Sequence, residues 1–259
     1  MRFSSKLLLP VFCLVLIAAA LKPRPTVYLI GDSTVKNSSG KGDGGMWGWG
    51  SFLADHFDTT RVRIENHAIG GRSSRTFLTE GRWDRILATL KPGDYVLMQF
   101  GHNDGGAIND TTRARGSIRG IGEETEEIDN MLTKKHEIVH SYGWYMRKYI
   151  RDAKAKGATP IVLSLVPRNQ WKDGKIVRGK ESYAGWAEEV ARQEAAPFID
   201  LNERVAVKYD TVGNFDALKK AYFVEDHTHT NGPGARLNAE TVTEGIRDLR
   251  KVGLRKLLK

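Results

Sequence analysis

Five short runs of apolar and β-branched residues alternate with longer amphipathic segments, and this alternation constrains the fold more than any other feature of the chain. The runs are Val27–Ile30, Val62–Ile64, Tyr95–Phe100, Pro160–Leu165 and Phe198–Asp200. Each has strand length and is bounded by polar or Gly-containing turns. Tyr142, Tyr145, Met146, Tyr149, Ile150 and Ala153 share one face at the 3.6-residue period, and Gly157 then supplies a stop signal. The tyrosines of that face read as core. Ala235, Ala239, Val242, Ile246 and Leu249 repeat the pattern near the C-terminus. Strands alternating with helices in this way build a mostly parallel sheet with helices on both faces. No repeat or linker divides the chain, so a single α/β domain is expected over residues 21–259.

Ahead of the first run lies a different kind of segment. Arg2 and Lys6 carry two positive charges, Leu7 to Ala20 carries none, and Ala18-Ala19-Ala20 fits a small-residue cleavage site. This is the layout of a secretory signal peptide, expected over residues 1–20. The apolar stretch is short for a membrane span, which takes about 20 residues. Cys13 lies inside that stretch and follows Phe12, so it reads as part of the leader and not as a lipid-anchor site. It is the only cysteine, so the mature protein is expected without disulfides and stabilised by its core, in a secreted or periplasmic location.

Lysine and arginine exceed aspartate and glutamate by 9. A basic surface steers anionic partners. No zinc-finger spacing and no basic stripe interleaved with aromatics is present, so nucleic acid is not the expected partner. Stable membrane association is not expected once the leader is removed, and the sequence leaves the oligomeric state open. One segment breaks the rhythm of the chain. The residues between Gly105 and Glu137 show weak periodicity and include the acidic run Glu123 to Glu127. It reads as a long loop flanking a site, because it starts just past a strand's carboxyl end. Its acidic part reads equally as a solvated helix face.

The chemistry-bearing residues stand at the ends of these strands. Gly31-Asp32-Ser33-Thr34-Val35 follows the first, and the carboxyl edge is where open α/β sheets bind ligands. Taken alone, Gly31-Asp32-Ser33 is an ordinary polar turn. The second strand runs into Asn66-His67-Ala68-Ile69-Gly70-Gly71-Arg72, whose paired glycines allow a tight turn with outward N–H groups. The third ends in Phe100-Gly101-His102-Asn103-Asp104. A hydroxyl, a backbone N–H and a side-chain amide therefore meet at one edge, which is what a nucleophile with an oxyanion hole requires. Near the C-terminus, Asp226-His227-Thr228-His229 puts a carboxylate within one turn of two imidazoles. The residues alone favour neither His227 nor His229 as a base. Asp32 and Asp104 read as loop-fixing hydrogen-bond acceptors, and His67 and His102 as structural. With no cysteine ligand and no His-Glu-x-x-His helix, the pattern does not point to a metal. The nucleophile elbow Gly-x-Ser-x-Gly is absent, since Thr34-Val35 follows Ser33.

These blocks, in this order, resemble the SGNH (GDSL-type) hydrolase superfamily over nearly the whole mature chain. Within it the phrases Gly31-Asp32-Ser33-Thr34, Gly48-Trp49-Gly50, Gly71-Arg72-Ser73, Phe100-Gly101-His102-Asn103-Asp104 and Asp226-His227-Thr228-His229-Thr230 resemble the rhamnogalacturonan acetylesterase family. The resemblance implies a flavodoxin-like three-layer α/β/α sandwich around a mostly parallel five-stranded sheet. It also implies Ser33 as nucleophile, His229 as base, Asp226 as the acid orienting it, and an oxyanion hole from the N–H groups of Ser33 and Gly71 and the amide of Asn103. No cofactor is implied. The expected function is an exported carbohydrate esterase that removes acetyl groups from an acidic pectic polysaccharide, with Arg72 or other cleft cations meeting its charge. The same chemistry on acetylated xylan or other acyl esters is an alternative. A catalytically silent carbohydrate-binding protein is another.

Overall fold

The computed structural model describes residues 24–259. The leader expected over residues 1–20, with Cys13, lies outside the described residues. In chain order the elements are β1 (Thr26–Gly31), β2 (Arg63–Asn66), α1 (Ser74–Thr79), α2 (Arg82–Leu87), β3 (Tyr95–Gln99), β4 (Thr125–Asp129), β5 (His136–His140) and α3 (Tyr142–Ala155). They continue with β6 (Thr159–Leu163), β7 (Trp171–Lys172), β8 (Lys175–Ile176), α4 (Tyr183–Gln193), β9 (Phe198–Ile199), α5 (Leu201–Asp210), α6 (Phe215–Tyr222) and α7 (Gly232–Asp248).

Five strands form the central sheet in the order β2-β1-β3-β6-β9, and every pairing is parallel. The period-2 alternation of β1 divides the core. Val27 and Leu29 face a layer built on α5 and α7, with Val205, Tyr209, Ala239 and Val242. Tyr28 and Ile30 face the other, with Phe77 and Trp83 from α1 and α2, Tyr145, Met146, Tyr149 and Ile150 from α3, and Val190 from α4. Both faces are covered, which is why the inner strands read as continuous apolar runs. The result is a three-layer α/β/α sandwich with the flavodoxin-like strand order. In that order the chain winds one way from β1 to β2 and the other way from β1's far side to β3, so the topological switch lies between β1 and β3.

The structure departs from the sequence reading in three places. The second strand starts one residue late, at Arg63, and extends to Asn66. It is an edge strand carrying Arg63 and Glu65, so its apolar run marks it poorly. The connection from β1 to β2 contains only short 3₁₀ turns, at Asp43–Gly45, Trp49–Ser51 and Leu53–His56. Trp49, Leu53 and Phe57 on that connection fill the layer a helix would otherwise occupy. The segment between Gly105 and Glu137 is not irregular throughout. Its acidic run enters β4, which pairs antiparallel with β5 from Thr125↔His140 to Asp129↔His136, so the run is strand and not a helix face. Only Ile128 of β4 is buried, and a strand solvated on both faces shows no alternation to read.

Arg75 holds this hairpin and its approach to the body of the domain. Its guanidinium is fully buried. It makes a bidentate pair with Glu137, at 2.6 and 2.7 Å, and its remaining Nη1 donors reach Ile108 O and Gly116 O, both at 2.7 Å. Burial pushes the Glu137 carboxyl up, but hydrogen bonds from Arg75 and Asn130 and the Arg75 charge outweigh it and leave it below its ordinary range.

Candidate active site

Three loops leave the carboxyl edge of the sheet around the switch point, and a fourth returns to meet them from the C-terminal half. The first begins at Gly31. Val35 and Lys36 N–H groups both donate to Asp32 O, at 3.1 and 3.0 Å, folding the chain tightly past Ser33. The buried Asp32 carboxylate accepts from Thr34 N–H at 2.9 Å and Thr34 Oγ1 at 2.7 Å, and faces His102 Nδ1 at 3.2 Å. Burial raises its carboxyl, but the His102 charge and these hydrogen bonds overcome that and hold it below the usual carboxylate value. His102 Nε2 faces Val166 O at 3.0 Å, so both ring nitrogens are placed against oxygen atoms of the surrounding loops. From the strand below, Gln99 Nε2 donates to Thr34 Oγ1 at 2.6 Å and Gln99 Oε1 accepts from Trp49 Nε1 at 2.9 Å. The serine therefore sits on a loop whose every neighbour is fixed.

The second loop follows β2. Gly71 has φ +78°, a left-handed backbone that a side chain resists. Among the described residues the N–H groups of Ser33 and Gly71 have no acceptor. Ser73 then caps α1 in a reciprocal capping box with Thr76. The third loop follows β3. Asn103 Nδ2 donates one hydrogen to Arg72 O at 2.9 Å, which fixes the amide plane beside the Gly71 turn and leaves the second hydrogen free. Asp104 is fully buried and accepts from Ser74 N–H at 3.1 Å, from the Ser74 hydroxyl and from Ser117 Oγ at 3.1 Å. Burial outweighs these bonds and lifts its carboxyl to about 6.

The fourth loop runs between α6 and α7. Phe223 and Thr230 pair across its neck, and Asp226 Oδ1 accepts from the Thr228 and His229 N–H groups, each at 2.7 Å. This turn presents His229, not His227, to the serine. His229 Nδ1 lies 2.6 Å from Asp226 Oδ2, and His229 Nε2 lies 2.9 Å from Ser33 Oγ. Burial raises the Asp226 carboxyl, but hydrogen bonds from the His229 backbone, its ring and Thr228, with the His229 charge, hold it at about 2. Two hydrogen bonds fasten this turn to the serine's side of the molecule. Trp47 N–H donates to Thr230 O at 2.8 Å, and Thr230 Oγ1 donates to Trp47 O at 2.9 Å. Trp49 and Gly50 N–H groups in turn donate to Thr34 O and Val35 O. A Cβ at Gly48 would stand 2.3 Å from the Val35 carbonyl carbon, so only glycine lets these two segments approach.

The remaining polar residues divide by position. His227 faces away, lining a shallow recess with Trp171, Phe215 and Asn169. Arg72 does not reach a cleft as a free cation. Its Nε pairs with Glu80 at 3.0 Å and its Nη1 donates to Gly70 O at 3.2 Å. Two other arginines, Arg115 from the segment read as flanking the site and Arg168, stand beside its loops instead. Arg115 Nη1 donates to Gly71 O at 3.1 Å, and Arg168 Nη2 donates to His102 O at 3.2 Å. Among the described residues no group of three His, Cys, Asp or Glu side chains converges as a metal site, and no helix is long and apolar enough to cross a membrane.

A serine, an imidazole and a carboxylate in hydrogen-bond series, beside two unused N–H groups and an oriented amide, can transfer an acyl group. Residues 29–237 match the GDSL-like Lipase/Acylhydrolase family. A rhamnogalacturonan acetylesterase of Emericella nidulans is 33% identical over 85% of this chain and 84% of that protein. The probable rhamnogalacturonan acetylesterase YesY of Bacillus subtilis is 31% identical over 86% of this chain and 93% of its own length. Among solved structures, protein YxiM of Bacillus subtilis aligns with a TM-score of 0.69 at 25% identity, covering 89% of this chain and 58% of that one.

Proposed function

This chain belongs to the GDSL-like lipase/acylhydrolase family, and on that premise we propose that it is an exported esterase removing acetyl groups from a pectic polysaccharide of rhamnogalacturonan type. It is a carboxylic-ester hydrolase of the SGNH fold. The observation that carries the mechanism is the series Asp226–His229–Ser33, with links of 2.6 and 2.9 Å. The names of the sequence relatives support the pectic substrate, as does the basic charge balance, an excess of 9 positive charges that becomes 7 once the leader's Arg2 and Lys6 are removed.

Ser33 Oγ attacks the acetyl carbonyl carbon while His229 Nε2 takes its proton. Asp226 holds the ring in the tautomer that presents a bare Nε2 and stabilises the imidazolium that forms. The carbonyl oxygen becomes an oxyanion, held by the N–H groups of Ser33 and Gly71 and the free amide hydrogen of Asn103. The intermediate collapses, the sugar oxygen leaves with the proton from His229, and an acetyl-serine remains. Water, deprotonated by His229, attacks this ester; acetate departs and Ser33 Oγ regains its proton.

The test is acetate release from acetylated rhamnogalacturonan and acetylated xylan, with p-nitrophenyl acetate as control, by the wild type and by Ser33→Ala. Preferential release from the pectic polymer, lost in a folded Ser33→Ala variant, supports the reading. Substantial activity in that variant rejects Ser33 as nucleophile, and preference for xylan rejects the pectic substrate. A protein that hydrolyses none of the three is a binding module. Export is tested by sequencing the mature N-terminus, expected near Leu21.

A further inference from the structure

A cavity of about 480 Å3 opens beside the Asn103 loop, and its lining carries polar groups that the ester chemistry does not use. Arg115 and Arg168 both line it. Each spends one N–H on a backbone carbonyl of the site's loops, that of Gly71 and that of His102. Among the described residues neither has a carboxylate partner, whereas Arg178 in the same lining is held by Asp210 at 2.7 Å and Glu203 at 3.2 Å. Two half-buried guanidiniums with no carboxylate in contact are left with N–H donors that an anion would satisfy.

Tyr183, which also lines the cavity, adds an independent sign. It is 8% exposed, and its hydroxyl is buried without any hydrogen-bond partner. A buried hydroxyl left unpaired costs free energy that a phenylalanine would avoid. Burial lifts its ionisation to about 12, so it is a proton donor at any working pH. The hydroxyl stands against Gly105, which also lines the cavity, where a Cβ would lie 3.5 Å from it.

We propose that this cavity is a uronate subsite, in which Arg115 and Arg168 grip the carboxylate of a uronate in the bound polymer and the Tyr183 hydroxyl donates to an oxygen of the same sugar. The planar forks of arginine match a carboxylate, and their backbone anchors hold them ready. Because both anchors are carbonyls of the loops that carry Gly71 and Asn103, an occupied subsite also fixes the sugar's position relative to Ser33. The inference rests on the pectic reading above for the identity of the carboxylate.

The experiment compares acetylated rhamnogalacturonan oligosaccharide with its carboxyl-reduced, neutral counterpart, in wild type, Arg115→Gln, Arg168→Gln and Tyr183→Phe. The ratio of kcat/KM for the acidic over the neutral oligosaccharide is expected to fall by about tenfold in each arginine variant, as for one lost hydrogen bond to a charged group. Tyr183→Phe is expected to weaken both substrates while leaving Tm unchanged or higher, since it removes an unpaired group. A second arm measures inhibition of p-nitrophenyl acetate hydrolysis by unacetylated oligogalacturonate, which reads occupancy without polymer deacetylation. If the wild type deacetylates the acidic oligosaccharide but the ratio survives in both arginine variants, the subsite is overturned and the pectic function stands. If oligogalacturonate inhibits in an arginine-dependent way but no pectic acetate is released, the subsite stands and the pectic function falls.

Discussion

Arg75 and Glu137 form a bidentate ion pair that joins helix α1 to strand β5 across the wall of the domain, with the arginine side chain fully buried. Removing one partner of such a pair strands the other and typically costs about 3–5 kcal/mol. Arg75→Ala is therefore expected to destabilise the fold by that amount in urea unfolding, and to loosen the segment that carries Arg115. Glu137→Gln removes the counter-charge of the buried guanidinium and turns one acceptor into a donor facing it, and should cost a comparable amount. A loss below about 1 kcal/mol in Arg75→Ala would show that the hairpin is held by other contacts.

Asp226, held at about 2, is a carboxylate throughout the working range, and in the proposed relay it fixes the His229 tautomer. Asp226→Asn should lower kcat by roughly 10³–10⁴-fold, because the ring loses its preferred tautomer. A kcat near that of the wild type in the folded variant removes Asp226 from the relay. His227→Ala should do far less harm than His229→Ala, since its ring faces the recess beside Trp171 and Phe215.

Asn103→Ala should reduce kcat by roughly 10²–10³-fold, as for one lost oxyanion donor. KM should change little, because the bond strengthens only as charge develops on the oxygen. The amide also braces Arg72 O at 2.9 Å, so steady-state kinetics should be read beside Tm. A raised KM with unchanged kcat would make Asn103 a substrate-binding residue.

Asp104 carries a pH signature in stability. Its carboxyl is raised from 3.8 to about 6, so between about pH 4 and 6 the folded protein binds a proton that the unfolded chain has released. Through this group stability is greatest at the acid end of that window and declines as pH rises to 6, by on the order of 3 kcal/mol for a two-unit shift, then stays level. Asp32 and Asp226 act oppositely and lower: their depressed carboxyls contribute stability above about pH 4 that is lost on further acidification. Urea unfolding of wild type and Asp104→Asn across pH 4–7 should show the difference between them changing through this window. A constant difference would place the proton elsewhere.

How much could be read in advance follows from how each group announces itself. The edge position of Ser33 and Asn103, residues of the proposed site, could be read in advance because each follows an apolar run, and a parallel sheet brings such ends together; Gly71 was marked by its paired glycines. His229 was separable from His227 by family likeness alone; the structure adds the reason, a turn closed by Phe223 and Thr230 that presents one ring and averts the other. Arg75, Arg115 and Arg168 carry no spacing signal, because their partners lie far along the chain, and Tyr183 carries none because its hydroxyl has no partner at all. Arg72 misled for the converse reason. It adjoins Gly71 in sequence, but the short helix α1 returns Glu80 to its guanidinium. Strand β4 was illegible because four of its five residues face water.

The fastening of Thr230 to Trp47 has a temporal side. Ser33 and His229 are separated by 196 positions, and the turn bearing the histidine docks on a segment near the chain's beginning as well as on Asn169, whose N–H donates to His227 O at 2.7 Å. As the chain grows, the serine emerges early and remains an ordinary alcohol until nearly the last helix has folded back over it. Hydrolytic competence in the proposed relay is thus a signal of completion: a chain that stalls or is clipped before α7 holds a nucleophile with no base, and is inert toward the esters of the cell that makes it.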